Sequence, residues 1–250
     1  MYYRSVAIPL ALNEKFRKDD VEKKVNSSLF RSSIGSLLYI TSTRPDIMFS
    51  ASLLSRFMQE PRQLHFGAAK RVLRYLQGTM DYGIMYKFGG NLNLIGYSDS
   101  DWAGSIDDMK STSGYAFLFG SSICSWLSKK QSVVAQSTAE AEYVSASMAT
   151  SQAIWLRRIF EDIGEEQKKG TILYCDNKSA IAIAKNPFSH ERSKHISIKY
   201  HFIQEAQEKG EIQLHYYQTG EQLADIFTKA LPREKNCYLQ ERIGVIKQMH

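Results

Sequence analysis

The first third of the chain combines a weakly patterned start with three stretches of helical periodicity. Residues 1–27 are polar and charged, which predicts a lead-in that carries no chemistry. Between Ser28 and Thr43 the apolar residues recur near helical spacing, and Pro45 forces a break. A second helix is predicted to run to about Met58, and a third from Gln63 to Gln77. We therefore expect a small layer of packed helices within residues 28–90.

Past residue 80 the pattern changes to short runs of β-branched and aromatic residues, separated by glycine and small polar residues. Four such runs predict strands in a meander: Tyr82–Tyr86, Leu92–Tyr97, Tyr115–Phe119 and Ile123–Trp126. Two further strands are predicted at Thr171–Cys175 and Ile212–Tyr217, among helices at Thr138–Ile163, Asn177–Ala184, Ile198–Glu208 and Gln222–Ala230. This order predicts an α/β fold with a mixed sheet flanked by helices.

Composition limits the class of protein. The chain has 250 residues, of which 43% are hydrophobic, enough for one large core or two small ones. No run approaches the roughly 18 apolar residues of a membrane span, so no membrane partner is expected. Cys124, Cys175 and Cys237 are far apart and form no CxxC pair, so neither a disulfide framework nor a cysteine zinc site is indicated. We expect a cytoplasmic or nuclear protein that is not secreted.

The net charge of +6 is unevenly distributed. Residues 1–90 hold 14 Lys and Arg against 7 Asp and Glu, whereas the remaining residues hold 18 against 19. A basic half joined to a neutral half with prominent carboxylates suits an enzyme that acts on polyanions, because one part attracts phosphate and the other can hold metal. The alternative is that these charges only solvate helix surfaces.

Four acidic residues stand at the edges of separate apolar segments, in the order Asp99, Glu142, Asp176 and Asp225. Carboxylates are the ligands that Mg²⁺ prefers, and paired ions assist phosphoryl transfer. Three of the acids also have a structural explanation, since Asp176 is a candidate helix cap and Glu142 and Asp225 lie near the start of a predicted helix, where an acid is stabilised by the helix dipole. Glu140 and Glu142 point in different directions on one helix, and the spacing of apolar residues does not decide which faces the sheet.

Six motifs from about residue 91 to residue 232 occur together in a fixed order. They are Gly96-Tyr-Ser-Asp-Ser-Asp-Trp-Ala-Gly104, Lys110-Ser-Thr-Ser-Gly-Tyr115, Gln136-Ser-Thr-Ala-Glu-Ala-Glu-Tyr143, Cys175-Asp-Asn-Lys-Ser-Ala-Ile181, Lys194-His-Ile196 with Tyr200-His-Phe202, and Gln222-Leu-Ala-Asp-Ile-Phe-Thr-Lys229. This stretch resembles the ribonuclease H domain of copia-type LTR retrotransposons. Residues 28–88 resemble the thumb and connection that follow the reverse transcriptase palm in the same polyproteins. The palm itself is absent, so the chain is not expected to polymerise DNA.

The resemblance implies a ribonuclease H-like fold and metal-dependent hydrolysis of the RNA strand in RNA–DNA hybrids. Carried over by position, the family's catalytic and metal-binding acids are Asp99, Glu142, Asp176 and Asp225, which selects Glu142 over Glu140. They would hold two Mg²⁺ ions about 4 Å apart, with Mn²⁺ as a substitute. Where the family usually has Asp in its Lys-His-Ile-Asp motif, this chain has Ser197.

The expected domains are a lead-in over 1–27, a helical remnant over 28–90, a ribonuclease H domain over 91–232 and a tail over 233–250. Contacts to the phosphate backbone are assigned to basic residues, namely Lys70, Arg71, Arg74, Lys129 and Lys130. A palm on another chain is a candidate partner, and a silent or repurposed fragment that binds nucleic acid or protein is the alternative function. Trp102, Trp126 and Trp155 are expected in the core, and His215 is expected to be a partly buried strand residue.

Overall fold

A computed structural model describes residues 4–12, 14–19, 21–87, 89, 92–185 and 197–248. The motif Lys194-His195-Ile196 and the side chain of Ser197 lie outside the described residues, so the departure at Ser197 stays a sequence observation. Among the described residues, no helix is both long enough and apolar enough to cross a membrane.

The three N-terminal helices are confirmed. Helix α1 spans Ser27–Ile40, and its N-cap is Asn26, whose side chain accepts a hydrogen bond from the Leu29 N–H at 3.0 Å. Pro45 opens a short 3₁₀ turn, which leads into α2 at Met48–Ser55. Helix α3 spans Gln63–Gly78, and a short strand, β1, follows at Tyr82–Ile84.

The lead-in, residues 1–27, contributes side chains to the core of this helical layer. Leu10 and Phe16 are buried in the same apolar cluster as α1, α2 and α3, and the Phe16 ring lies 6.1 Å from that of Phe57. Two apolar side chains in an irregular segment carry no periodic signal, so the sequence pattern did not reveal this packing.

The main sheet has five strands in the order β4-β3-β2-β5-β6. Strands β2, β3 and β4, at Leu94–Asp101, Thr112–Phe119 and Ser122–Lys130, form an antiparallel meander. Strands β5 and β6, at Thr171–Cys175 and Ile212–Tyr216, continue the sheet parallel to β2. The predicted fold class, a mixed α/β sheet flanked by helices, is therefore confirmed.

Helices cover one face of this sheet. They are α4 at Thr138–Asp162, α5 at Lys178–Lys185 and α6 at Ser197–Glu208. Strand alternation aims Tyr115 and Phe117 at these helices, while Ala116 points to the opposite face. That opposite face is covered by the C-terminal segments.

The C-terminal segments differ from the sequence expectation in two ways. The helix predicted over Gln222–Ala230 is a 3₁₀ turn at Leu223–Phe227, since all five of its residues are buried and Pro232 lies shortly after. The predicted tail forms helix α7 at Arg233–Arg242 and strand β7 at Val245–Lys247. Buried Asn236 and Gln240 lie on the inner face of α7, so its hydrophobic pattern is weak.

Strand β1 was predicted to be part of the meander, and this is wrong. It pairs antiparallel with β7 in a separate two-stranded sheet, with Gly83 opposite Ile246. Because strand pairing joins residues far apart in sequence, a local pattern predicts that a strand exists but not which partner it takes.

Candidate active site

Asp99 lies inside β2, two residues before the strand ends at Asp101. The residue is only 2% exposed. The hydroxyl of Thr228 donates a hydrogen bond to Asp99 Oδ2, and Lys229 Nζ lies 3.5 Å from the same oxygen. A buried carboxylate needs such partners, and here Thr228 and Lys229, which follow Asp225, supply them.

The start of α4 separates the roles of Glu140 and Glu142. Ser137 is the N-cap, and the Glu140 N–H donates to its hydroxyl at 3.2 Å, while the Glu140 carboxylate accepts from the Gln136 N–H at 2.7 Å. Glu142 reaches the sheet, where one carboxylate oxygen accepts from the N–H and the hydroxyl of Ser100, both at 2.9 Å. The geometry agrees with the selection of Glu142 over Glu140 and explains Glu140 as a helix-start residue.

Asp176 is half-buried and directly follows strand β5. The alternative that it caps α5 is wrong, because Asn177 makes the cap and its side-chain oxygen accepts from the Ala180 N–H at 3.0 Å. The carboxylate of Asp176 is thereby left for other partners. One ligand atom each of Glu142, Cys175 and Asp176 lie within 4.8 Å of one another.

Asp225 is fully buried and is balanced by two lysines. Lys229 Nζ lies 2.7 Å from Asp225 Oδ1, and Lys235 Nζ contacts Oδ2. Gly114 on β3 makes room for this segment, since a Cβ there would lie 2.8 Å from Phe227 Cβ and from Thr228 Cγ2. Gly114 is also the strand partner of Asp99, so its missing side chain lets the Asp225 segment come close to Asp99.

The four acids influence one another electrostatically. Burial raises the pKa of Asp99 to about 7; Asp225 and Asp176 add to the rise, and Lys229 and Thr228 oppose it. Burial likewise raises the pKa of Glu142 well above its usual value, with further contributions from Asp99 and Asp176. Burial alone would lower the pKa of Lys229, but Asp99 and Asp225 raise it above normal. Asp99, Glu142, Asp176 and Asp225 thus form an acidic cluster in which burial and neighbouring charge oppose the ionisation of Asp99 and Glu142.

This donor set fits a hard divalent cation. Carboxylate oxygens are preferred by Mg²⁺ and Mn²⁺, and a cation would offset the burial and the mutual repulsion that raise the pKa values of Asp99 and Glu142. The Cys175 thiol is a poor ligand for such ions, and burial raises its pKa well above the usual value, which keeps it protonated.

Several residues at this site were missed from the sequence. Lys229 and Thr228 follow Asp225 at i+4 and i+3, a spacing that brings side chains together on a helical turn and that could have indicated them. Ser100 lies next to Asp99 and was quoted only as part of a motif. Lys235 lies in the predicted tail, and nothing in its local pattern indicated a role.

The basic residues predicted to contact the phosphate backbone of the nucleic acid lie in two places. Lys70 and Arg74 line a shallow groove on α3 beside exposed Leu73, and Arg71 is half-buried on the same helix. Lys130 lines a cavity that also contains Lys229, and it forms an ion pair with Asp108 at 2.7 Å. Neighbouring Lys129 is exposed. The role of these five residues in binding stays a prediction.

The expected burial of the aromatic residues is partly wrong. Trp102 and Trp155 are 47% and 55% exposed, whereas Trp126 is half-buried and its Nε1 donates to the Thr41 carbonyl at 3.0 Å. His215 is exposed, because it occupies an outward position on edge strand β6. An apolar segment does not reveal which of its aromatic residues face solvent.

Comparison with known proteins gives long matches to transposon polyproteins. The chain is 40% identical over 244 residues to the retrovirus-related Pol polyprotein from transposon RE2 of Arabidopsis thaliana, covering 98% of the chain and 17% of that polyprotein. It is 40% identical over 250 residues to the polyprotein from transposon TNT 1-94 of Nicotiana tabacum, covering 97% of the chain and 19% of that polyprotein. The chain thus spans less than a fifth of the length of these relatives.

Other matches are shorter or more distant. The secreted RxLR effector protein 161 of Plasmopara viticola is 45% identical over 128 residues, which are 51% of the chain and 90% of that protein. Among solved structures, the N-terminal RNase H domain of rv2228c from Mycobacterium tuberculosis gives a TM-score of 0.39 at 11% identity, covering 60% of the chain and 98% of the matched one. No protein-family model matches the chain.

Proposed function

Because this chain belongs to the copia-type retrotransposon Pol polyproteins, we propose that it is a metal-dependent endonuclease that hydrolyses the RNA strand of RNA–DNA hybrids. The observation that supports the proposal is a set of contacts around the four acids. Lys229 Nζ lies 3.5 Å from Asp99 and 2.7 Å from Asp225, and one ligand atom each of Glu142 and Asp176 lie within 4.8 Å of each other. Two of the acids have pKa values raised by burial and by the charge of the others, as expected for a site that binds cations.

In this proposal Asp99, Glu142, Asp176 and Asp225 would hold two Mg²⁺ ions. Mn²⁺ serves as a substitute. When bound, such ions activate a water molecule and stabilise the leaving 3′ oxygen. The protein's own part is to hold the carboxylates in place before the substrate arrives.

Three residues support that positioning role. Ser100 fixes one oxygen of Glu142 with two hydrogen bonds, and Thr228 fixes one oxygen of Asp99. Lys229 bridges Asp99 and Asp225 and so compensates part of their repulsion. With these restraints the acidic oxygens lose little freedom on binding a cation, which favours affinity.

The proposed substrate is a hybrid duplex. The RNA strand would be recognised through its 2′-hydroxyl groups across the wide minor groove, and the DNA strand through phosphate contacts. Lys70, Arg71, Arg74, Lys129 and Lys130 are the proposed phosphate contacts. A reverse transcriptase palm on another chain is the proposed protein partner, and the cytoplasm or nucleus is the proposed location.

The test is cleavage of end-labelled RNA–DNA hybrid, single-stranded RNA and RNA duplex by the full chain in Mg²⁺, Mn²⁺ or EDTA. We expect metal-dependent cutting of RNA in the hybrid alone, and a loss of at least about 100-fold for Asp99→Asn, which removes one ligand charge. Asp162→Asn is the matched control, because Asp162 is exposed near the end of α4.

Equal loss in both variants would contradict a role for Asp99. Cutting that persists in EDTA would contradict the metal requirement, and cutting of RNA duplex would contradict the hybrid specificity. Circular dichroism of each variant separates a lost ligand from a lost fold.

A second candidate function is a silent fragment that binds nucleic acid or a protein partner without cutting. The ion pairs of Asp225 with Lys229 and Lys235 favour it, since two ammonium groups already balance this carboxylate. A folded wild-type chain that binds the hybrid but never cuts it in either metal would support this alternative.

A further inference from the structure

A cavity of about 360 Å³ lies between the lead-in, helix α2 and the loop after β2, beside the acidic cluster. Lys229 forms part of its wall, and Lys229 Nζ is 3.5 Å from Asp99 Oδ2. Cations outnumber carboxylates around it: Lys15, Lys18, Arg56, Lys130 and Lys229 against Glu14, Asp101 and Asp107. A concave surface with excess positive charge attracts anions.

Arg56 is the cation in this wall with the most unused hydrogen-bonding capacity. Within the described part of the chain its guanidinium makes one hydrogen bond, from Nη2 to Thr112 Oγ1 at 3.1 Å, and forms no ion pair. A guanidinium has five N–H donors. Burial lowers the pKa of Arg56 to about 10, with Asp108 and Asp101 acting in the opposite direction.

The other cations differ from Arg56. Lys130 is paired with Asp108 at 2.7 Å and Lys229 with Asp225 at 2.7 Å, so both are already compensated. Lys15 and Lys18 are exposed and hydrated. A partly desolvated guanidinium that makes no ion pair gains most from an incoming anion, and its planar fork matches two oxygens of a phosphate.

We propose that this cavity binds a backbone phosphate of the nucleic acid held at the acidic cluster, with Arg56 as the principal donor. The proposal rests on the proposed function for the identity of the ligand. Arg56 belongs to α2, so the helical layer takes part in substrate binding directly and is more than a support for the sheet. Arg56 was not among the residues that the sequence predicted to contact phosphate.

The experiment measures binding of a labelled RNA–DNA hybrid to the full chain in EDTA, by fluorescence anisotropy over a series of salt concentrations. The variants are Arg56→Met and Arg56→Lys, with Arg31→Met as the control. Arg31 lies exposed on α1, outside the cavity wall, and its removal changes the net charge equally. We expect roughly 10-fold weaker binding for Arg56→Met and a salt slope reduced by about 1, with a smaller loss for Arg56→Lys.

Equal affinities and salt slopes for Arg56→Met and Arg31→Met would overturn the proposal while leaving cleavage, and hence the proposed function, intact. Binding that depends on Arg56, without any cleavage, would support phosphate binding in the cavity and contradict the proposed nuclease activity. If Arg56→Met fails to fold, the test rests on the folded Arg56→Lys variant. This variant keeps the charge but loses the planar guanidinium, so it should still bind the hybrid more weakly.

Inorganic phosphate separates a free anion from a backbone phosphate. One outcome is that phosphate raises the melting temperature of the wild type but not of Arg56→Lys, while both Arg56 variants bind the hybrid as the wild type does. This outcome would assign the cavity to a free anion and overturn the proposal. Competition of phosphate with the hybrid for the wild type, reduced in Arg56→Lys, would support it. A wild type that binds neither hybrid nor phosphate would also overturn it.

Discussion

At the scale of single residues, the acidic cluster is controlled by partners that carry no catalytic signature of their own. Ser100 holds Glu142, and Thr228 and Lys229 hold Asp99. Asn177 takes the helix cap that Asp176 would otherwise make. Glu142 and Asp99 are thus held by neighbours whose small polar or basic side chains are common in any protein.

Asp99 predicts how stability depends on pH in EDTA. Its pKa is about 7 in the folded chain and near 3.8 when unfolded, so the folded state keeps a proton that the unfolded state releases between these values. The free energy of unfolding should therefore fall as pH rises from about 4 to about 7, by about 2–4 kcal/mol. Urea denaturation at about pH 5 and about pH 7.5 measures this change.

Asp99→Asn should flatten the pH dependence, though Glu142, whose pKa is also raised, keeps part of it. Asp162→Asn should keep the wild-type curve, because Asp162 is exposed. A curve for Asp99→Asn that coincides with the wild type would contradict the raised pKa of Asp99.

At the scale of elements, the 3₁₀ turn Leu223–Phe227 brings Asp225 to the sheet. It packs against β2 and β3 at Gly114, where a side chain would collide with Phe227 and Thr228. The turn is further anchored by Gln222, whose Nε2 donates to the Ser98 carbonyl at 3.1 Å and whose Oε1 accepts from the Ala224 N–H. Its position therefore depends on close backbone approach more than on helix propensity.

Gly114→Ala tests this dependence. The added Cβ lies 2.8 Å from Phe227 Cβ and Thr228 Cγ2, so the turn must shift, and we expect a loss of about 1–3 kcal/mol in stability together with reduced metal binding. Chemical denaturation and calorimetric titration with Mn²⁺ measure the two effects. Gly67→Ala on α3 is the control, since its Cβ meets nothing within 4 Å and should stabilise the helix by about 0.5–1 kcal/mol.

At the scale of the whole molecule, buried polar bonds join the helical layer to the C-terminal segment. Arg44 and Asp46 form a two-bond ion pair at 2.9 and 2.8 Å. Tyr75 donates to Asp46 at 2.7 Å, and Gln240 from α7 donates to both Asp46 and Tyr75 at 3.0 Å. The domain division at residue 90 stays a prediction, and these contacts cross it.

Asp46→Asn tests whether the two parts unfold together. It leaves the Arg44 guanidinium buried without its carboxylate, so we expect a loss of about 3–5 kcal/mol. Because the network reaches Gln240, one cooperative transition should be seen by circular dichroism and by tryptophan fluorescence, in wild type and variant alike. Asp19→Asn, at an exposed position, should have little effect. Two separate transitions would contradict coupling of the parts.

Much of the architecture could be predicted from local patterns. Helical periodicity gave α1, α2, α3 and α4, and short apolar runs gave the strands of the main sheet, because these signals depend on neighbours within one turn or one strand. The pairing of β1 with β7, and the existence of α7, could not be predicted this way. The β1–β7 pair joins residues more than 100 positions apart, and α7 has a polar inner face that gives no hydrophobic pattern.

The candidate site divides in the same manner. The sequence by itself determined the order of the four candidate acids and the family that their motifs resemble, since each motif is a local run of residues. Only the tertiary structure decided that Asn177 caps α5, that Lys229 and Lys235 balance Asp225, and that Arg56 faces a cavity beside the cluster. The physical reason is that charge compensation and burial are set by distances in space, and those distances arise only when segments far apart in sequence pack together.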